Sequence, residues 1–215
     1  MSRYQAKHLH TGETFTRSAI LINNYSSRAK WLNPIDPSIE KFHEQLPSYS
    51  ETKLHNLPMV AAELGFGHVF IKDESTRFGL PSFKILGASW AVHRAICQRI
   101  GLSSSTSFDT LRTALRNRSD VRLVTCSEGN WGRAVARMAG YLGMSLTLIV
   151  PGYMSEYTQD LLRGEGADVQ VLKNGSYDDA IAAVKRDAES SAALMVMDTS
   201  WEGYEEIPGV SNPPR

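Results

Sequence analysis

Apolar residues change their spacing along this chain, and the changes mark out its elements. Up to about residue 58, polar and apolar positions mix without a sustained period. The stretches "NPIDPS" (33–38) and "LPSY" (46–49) interrupt any run, which predicts an extended arm carrying short helices. "HVFIKDE" (68–74) reads as a short strand, and "SFKILGASWAVHRAICQRI" (82–100) as a helix that is apolar on most faces. A helix of that kind belongs between layers rather than on a surface. The serine-rich "GLSSSTSFDT" (101–110) predicts a surface connection, with Ser107 or Asp109 placed to cap the short basic helix that follows.

From residue 121 the pattern becomes regular. Strands "VRLVTC", "SLTLIVP", "DVQVL" and "ALMVMD" alternate with helices "NWGRAVARMAGYLG", "SEYTQDLLRGEG" and "SYDDAIAAVKRDAES". Aliphatic strands separated by helices of this length mean βαβ units, so the fold class is α/β: a parallel, twisted sheet flanked by helices. In the helix from 130, Ala134, Met138, Tyr141 and Leu142 mark an inward face, while Arg133 and Arg137 lie one turn apart outside it. Ser155 and Ser176 are candidate N-caps, and "IPGVSNPPR" at the end is a Pro-rich tail that cannot continue a sheet.

Composition narrows the function classes. The 215 residues carry 23 basic and 23 acidic side chains, so the basic footprint of a nucleic-acid binder is missing. Apolar runs fall far short of the roughly 20 residues that span a bilayer, and "MSRYQAKHLH" is no signal sequence. These features predict a cytoplasmic protein with neither nucleic acid nor membrane as partner. Cys97 and Cys126 form neither a disulfide framework nor a Cys-x-x-Cys metal site, and each sits in an apolar stretch, so both are expected as buried free thiols, with no metal.

Two stretches carry candidate chemistry. Ligands of open α/β sheets bind beyond the carboxyl ends of the strands, and "TCSEGNWGR" (125–133) is such a turn, with Gly129 and Gly132 permitting close backbone approach. It reads equally as an ordinary turn in which Ser127 or Asn130 caps the helix and Glu128 complements its dipole. In "RFGLPSFKILGASWAV" (77–92), Lys84 either snorkels its ammonium to water or is a desolvated amine, kept dry by Phe83, Ile85 and Leu86, that attacks a carbonyl. Periodicity does not separate the two readings.

Taken together, "FGLPSFKILGA", "SEGNWG" and "MDTSWEGYEEIP" resemble, in order and spacing, the motifs of the diaminopropionate ammonia-lyase family, pyridoxal-phosphate enzymes with the tryptophan synthase β-subunit fold. The likeness runs from about residue 65 to 208. It implies that Lys84 anchors pyridoxal 5'-phosphate covalently and then serves as a base, that Asn130 meets the cofactor's phenolic oxygen, and that Ser127 and Gly129 belong to the cofactor-binding turn, which also holds the substrate carboxylate. Asp198 and Glu128 would be catalytic carboxylates. The implied reaction is α,β-elimination of ammonia from 2,3-diaminopropionate, a small amino-acid substrate, ending in pyruvate and a second ammonia. The domains implied are an N-terminal arm and partial large domain (1–80), a small cofactor-facing α/β domain (81–192), and a returning large-domain segment with the tail (193–215).

The resemblance also has breaks. Glu128 stands where that family has aspartate, and a carboxylate moved by about 1 Å is enough to cost roughly 10²-fold in rate. Trp131 stands where the family has histidine. Members are longer chains whose second half supplies a glycine-rich phosphate loop and a group facing the pyridine nitrogen, so a truncated member is expected, with apolar faces of the 68–74 and 193–198 strands uncovered. Three outcomes follow: an active ammonia-lyase, a serine or threonine dehydratase-like enzyme, or an inactive remnant that binds a partner, either as a homodimer or with a full-length homologue.

Overall fold

The computed structural model describes residues 3–7, 11–18, 36–191 and 193–211. Two compact units divide at residues 35 and 36. In the first, strands β1 (Arg3–Lys7) and β2 (Thr14–Ser18) pair antiparallel with Arg3 opposite Ser18 and Lys7 opposite Thr14. This hairpin falls where the sequence predicts an extended arm carrying short helices. Its strands carry few apolar residues, and Phe15 is 40% exposed, so no alternation marks them.

The second unit begins with α1 (Pro37–His43), where Asp36 accepts the Ser38 N–H and Pro37 occupies the first turn. The proline breaker at 37 thus acts as a helix start, because the first helical N–H has no partner to lose. β3 (Leu54–Asn56), α2 (Pro58–Leu64) and β4 (Phe70–Lys72) follow, β3 pairing antiparallel with β4. Leu54, Met59, Phe66, Phe70 and Ile71 are all more than half exposed, as expected for the 68–74 strand. The long apolar helix is α3 (Lys84–Arg99), with Ile85, Ala88–His93 and Ala95–Cys97 buried between layers. After it comes α4 (Phe108–Leu115), capped by Ser107, which accepts the Thr110 N–H.

The parallel sheet is built from β5 (Leu123–Cys126), β6 (Leu146–Pro151), β7 (Asp168–Leu172) and β8 (Leu194–Met195), in the order β7-β6-β5-β8. Helices α5 (Asn130–Leu142), α6 (Glu156–Gly164) and α7 (Tyr177–Ser191) connect them. Side chains alternate across the sheet: Leu123, Leu148 and Val150 join the core with α3 and α5, while Val124, Cys126 and Ile149 join a second core under α7. Ser155 and Ser176 cap α6 and α7 as expected, and Asp179 bonds back to the Ser176 N–H, closing a reciprocal cap.

Two expectations need correction. Arg133 and Arg137 do not form a solvated outer face: Glu165 binds both, at 2.9 and 2.5 Å, and is itself 7% exposed. The 193–198 segment is not uncovered either, since Ala193, Val196 and Met197 are buried. Its outer edge is closed by Tyr204, whose hydroxyl donates to the Met195 carbonyl and accepts the Met197 N–H, both at 2.9 Å. The start of the tail does not continue the sheet; it is helical, as α8 (Glu206–Ser211), which tolerates Pro208 because it lies in the first turn.

Candidate functional site

The chain leaves β5 outward to β6 and β7 and then returns to place β8 on the other side of β5. The strand order therefore reverses between β5 and β8, and the crevice beyond the carboxyl ends at such a switch point is where open α/β sheets receive ligands. A cavity of about 340 Å³ lies there, lined by Ser82–Lys84, Ser127–Trp131, Tyr177 and Asp198.

Lys84 opens α3, and the loop before it is tightly held. Phe78 adopts a left-handed conformation (φ 51°) that costs a non-glycine residue roughly 1–2 kcal/mol. Its ring is buried, and its carbonyl accepts from Arg137 Nη1 at 2.8 Å. Arg77, 6% exposed, binds Glu74, Thr52 and the Ser50 carbonyl. Ser82 Oγ then accepts the Lys84 N–H at 3.2 Å. From this frame Lys84 Nζ reaches Asp198 Oδ2 at 3.2 Å, with side-chain exposures of 31% and 21%. Of the expected apolar enclosure, the Phe83 ring stays near the amine, its centroid 5.8 Å from Nζ. Ile85 turns into the core and Phe83 is 60% exposed, so a carboxylate, not a dry pocket, engages Nζ.

Asp198 is fixed from both sides of β8. The Val196 carbonyl accepts from Thr125 Oγ1 at 2.5 Å and from the Trp131 indole N–H at 3.3 Å, while Tyr204 holds the outer edge. Trp131 is buried, so its ring is a wall that pins the end of β8. In the turn after β5, the buried Ser127 hydroxyl accepts the N–H groups of Gly129 (3.2 Å) and Gly132 (2.9 Å). Ser127 thus shapes the turn from within. Among the described residues, the N–H groups of Asn130 and Trp131 make no hydrogen bond and remain for a ligand. Gly132 is required by close approach: a Cβ there would lie 2.8 Å from Leu148 Cδ1 and 2.9 Å from Ser127 Cβ.

All of Lys84, Ser127, Glu128, Gly129, Asn130 and Asp198 therefore line one cavity. The structure adds Tyr177, which begins α7, and Tyr153, which bonds to Glu128. Burial pushes the Tyr177 phenol up, and burial likewise pushes the thiol of the buried Cys126 up to about 12. Neither tyrosine belongs to a recognisable local motif. Each follows the carboxyl end of a strand, and that placement in a βα turn was the available signal. No cluster of metal-ligating side chains occurs among the described residues.

Residues 46–209 match the family described as "Pyridoxal-phosphate dependent enzyme". Among curated proteins, the chain is 39% identical to a diaminopropionate ammonia-lyase from Salmonella typhimurium over 170 residues, 78% of this chain and 42% of that protein. It is 32% identical to the Escherichia coli protein of the same name over 169 residues. The holo crystal structure of the Escherichia coli enzyme superposes with a TM-score of 0.74 over 81% of this chain and 44% of that one. Threonine deaminase isoform 2 from Solanum lycopersicum, at 20% identity and TM-score 0.55, shares the fold. The chain spans less than half the length of the curated relatives it matches.

Proposed function

The chain belongs to the pyridoxal-phosphate-dependent enzyme family, and from that membership we propose that it holds pyridoxal phosphate at Lys84 and eliminates ammonia from 2,3-diaminopropionate to yield pyruvate. The observation that carries this reading is the contact between Lys84 Nζ and Asp198 Oδ2, made at the switch point beside a turn with two free N–H groups. The reacting end of the cofactor fits the residues present: an amine for its aldehyde, and the Asn130 amide for a ring oxygen. The phosphate end has no counterpart in the cavity, where Lys84 is the one cation among the lining residues and two carboxylates stand beside it. Its cradle must come from outside these residues.

When bound, the cofactor withdraws electrons from the substrate's α-carbon. The chain's own residues do the rest. The N–H groups of Asn130 and Trp131 receive the substrate carboxylate, and Glu128 receives the second ammonium. Lys84 Nζ takes the α-proton, with Asp198 Oδ2 the acceptor next to it. The β-amine departs as ammonia, and water completes the conversion to pyruvate and a second ammonia. Residues 81–192 act as the cofactor-facing domain, 1–80 as an N-terminal arm and partial large domain, and 193–215 as a returning large-domain segment with the tail. The buried free thiols Cys97 and Cys126 suit a reducing compartment, which we take to be the cytoplasm. No helix among the described residues is long and apolar enough to cross a membrane.

A second reading rests on the apolar platform of β3, α2 and β4. With Met59 at 85% exposure and Leu54, Phe66, Phe70 and Ile71 above half, this face suits a partner, either a second copy or a full-length homologue. Light scattering across a concentration series checks it: a strictly monomeric chain with or without such a homologue removes the reading.

The test of the main reading is chemical. Purified chain mixed with pyridoxal phosphate is expected to gain a visible absorbance band that borohydride traps as an adduct on Lys84, and to release pyruvate from diaminopropionate. Absence of the adduct, or an adduct that persists in Lys84→Ala, overturns it.

A further inference from the structure

The cavity's charges do not balance internally. Lys84 pairs with Asp198, which leaves the Glu128 carboxylate without a cation among the described residues. Among the described residues, that carboxylate has one hydrogen-bond partner, the Tyr153 hydroxyl, which donates to Oε1. Tyr153 lies in the turn between β6 and α6, while Glu128 lies in the turn between β5 and α5, so the bond crosses the mouth of the site from one strand end to the next.

The tyrosine is held in place by its neighbours. The Met154 N–H bonds to the Pro151 carbonyl, closing a tight turn, and the Met154 side chain is buried. Gly152 packs so close to the end of β7 that a Cβ would come within 2.2 Å of the Lys173 carbonyl oxygen. With Gly152 and Met154 anchored, Tyr153 is forced outward, 66% exposed, toward the adjoining turn. Glutamate is a longer side chain than aspartate, and here its extra methylene carries the carboxylate out to a neutral donor.

We propose that Tyr153 is a positioning residue that fixes the Glu128 carboxylate as the receptor for the second ammonium of a diamino-acid substrate, a role that rests on the reaction proposed above. A phenol suits this task where an arginine or lysine does not. It orients the carboxylate through Oε1 without neutralising it, so the negative charge and the lone pairs of Oε2 stay available to a cation. A substrate whose leaving group is a neutral hydroxyl gains nothing from that carboxylate. The pair therefore discriminates between 2,3-diaminopropionate and serine.

Two measurements test it, and the first needs no cofactor. Glu128 raises the Tyr153 phenol, chiefly through this hydrogen bond, with smaller upward pushes from desolvation, the Glu128 charge and Asp178. In an ultraviolet phenolate titration, Tyr153→Phe identifies the transition. Glu128→Gln is expected to move that transition to lower pH. If Glu128→Gln leaves it in place, the pair does not form and the proposal falls. In the second, the pyridoxal-phosphate-loaded chain is assayed with both amino acids. Tyr153→Phe is expected to raise KM for diaminopropionate by about tenfold, the scale of one charge-assisted hydrogen bond, with kcat little changed and KM for serine unmoved. An equal rise for both substrates refutes the discriminating role. If neither amino acid is turned over while Glu128→Gln still shifts the titration, the proposed reaction fails and the Tyr153–Glu128 pair stands.

Discussion

Tyr204→Phe isolates the clamp on β8, because it removes one oxygen and leaves the ring. In the native chain that hydroxyl satisfies two backbone groups, the Met195 carbonyl and the Met197 N–H, on the edge that β5 does not reach. The ring's stack on Trp201, 4.4 Å between centroids, survives the substitution. What is lost is two hydrogen bonds, each contributing about 1 kcal/mol net, and the penalty grows if the buried Met197 N–H finds no water. The expected destabilisation is about 2 kcal/mol, which for a domain of this size lowers Tm by roughly 4–8 °C. Thermal and urea unfolding followed by circular dichroism measure it, with Tyr157→Phe as control. Tyr157 is 73% exposed and its hydroxyl makes no hydrogen bond among the described residues, so its substitution should stay within about 0.5 kcal/mol. A Tyr204→Phe protein as stable as wild type refutes the clamp. It would mean that water serves Met195 and Met197 equally well and that Asp198 is held by Thr125 and Trp131 alone.

Gly132→Ala drives a methyl group against Leu148 and Ser127, and overpacking of that kind costs about 1–3 kcal/mol; a loss below that range by urea denaturation shows that the turn shifts freely. Burial holds the His43 and His93 imidazoles below their usual range, and His93 Nδ1 has no hydrogen-bond partner. A depressed folded-state value means that the unfolded chain binds the proton first. Stability is therefore full above about pH 6.5 and falls as pH drops below it, by at most ~1.4 kcal/mol per pH unit for each histidine. His93→Gln should flatten that slope between pH 6.5 and 5, and an unchanged slope shows that His93 does not contribute.

The order and kind of the elements from 121 to 198 were legible because they are local properties. Strand runs, helical periods and the caps at Ser107, Ser155 and Ser176 each depend on a few neighbouring residues, and all appear where the pattern puts them. The β1–β2 and β3–β4 pairs were not fully legible, because strands of three to five residues are too short to leave an alternation to read. Lys84, Asn130 and Asp198 were found through the likeness of three motifs; taken singly, Lys84 and the turn at 125–133 had equally ordinary explanations. Trp131 was legible only in part, as a large ring in the turn that lines the cavity. Its size was visible, but not that its indole would point to the Val196 carbonyl.

By itself, the sequence determined an α/β chain with a parallel sheet, a buried helix beginning at a lysine, and a glycine-bearing turn after a strand. Periodicity and capping act over a few residues, and no distant contact is needed to express them. Only the tertiary structure decided that Lys84 and Asp198, 114 positions apart, come within 3.2 Å, and that Tyr153 closes on Glu128 and Tyr204 on the edge of β8. The Lys84–Asp198 contact arises where the strand order reverses beside β5, the Tyr153–Glu128 contact because β6 lies next to β5, and the Tyr204 contact because the chain folds back after β8. That reversal brings the ends of separate strands to one crevice, a proximity that no local period encodes.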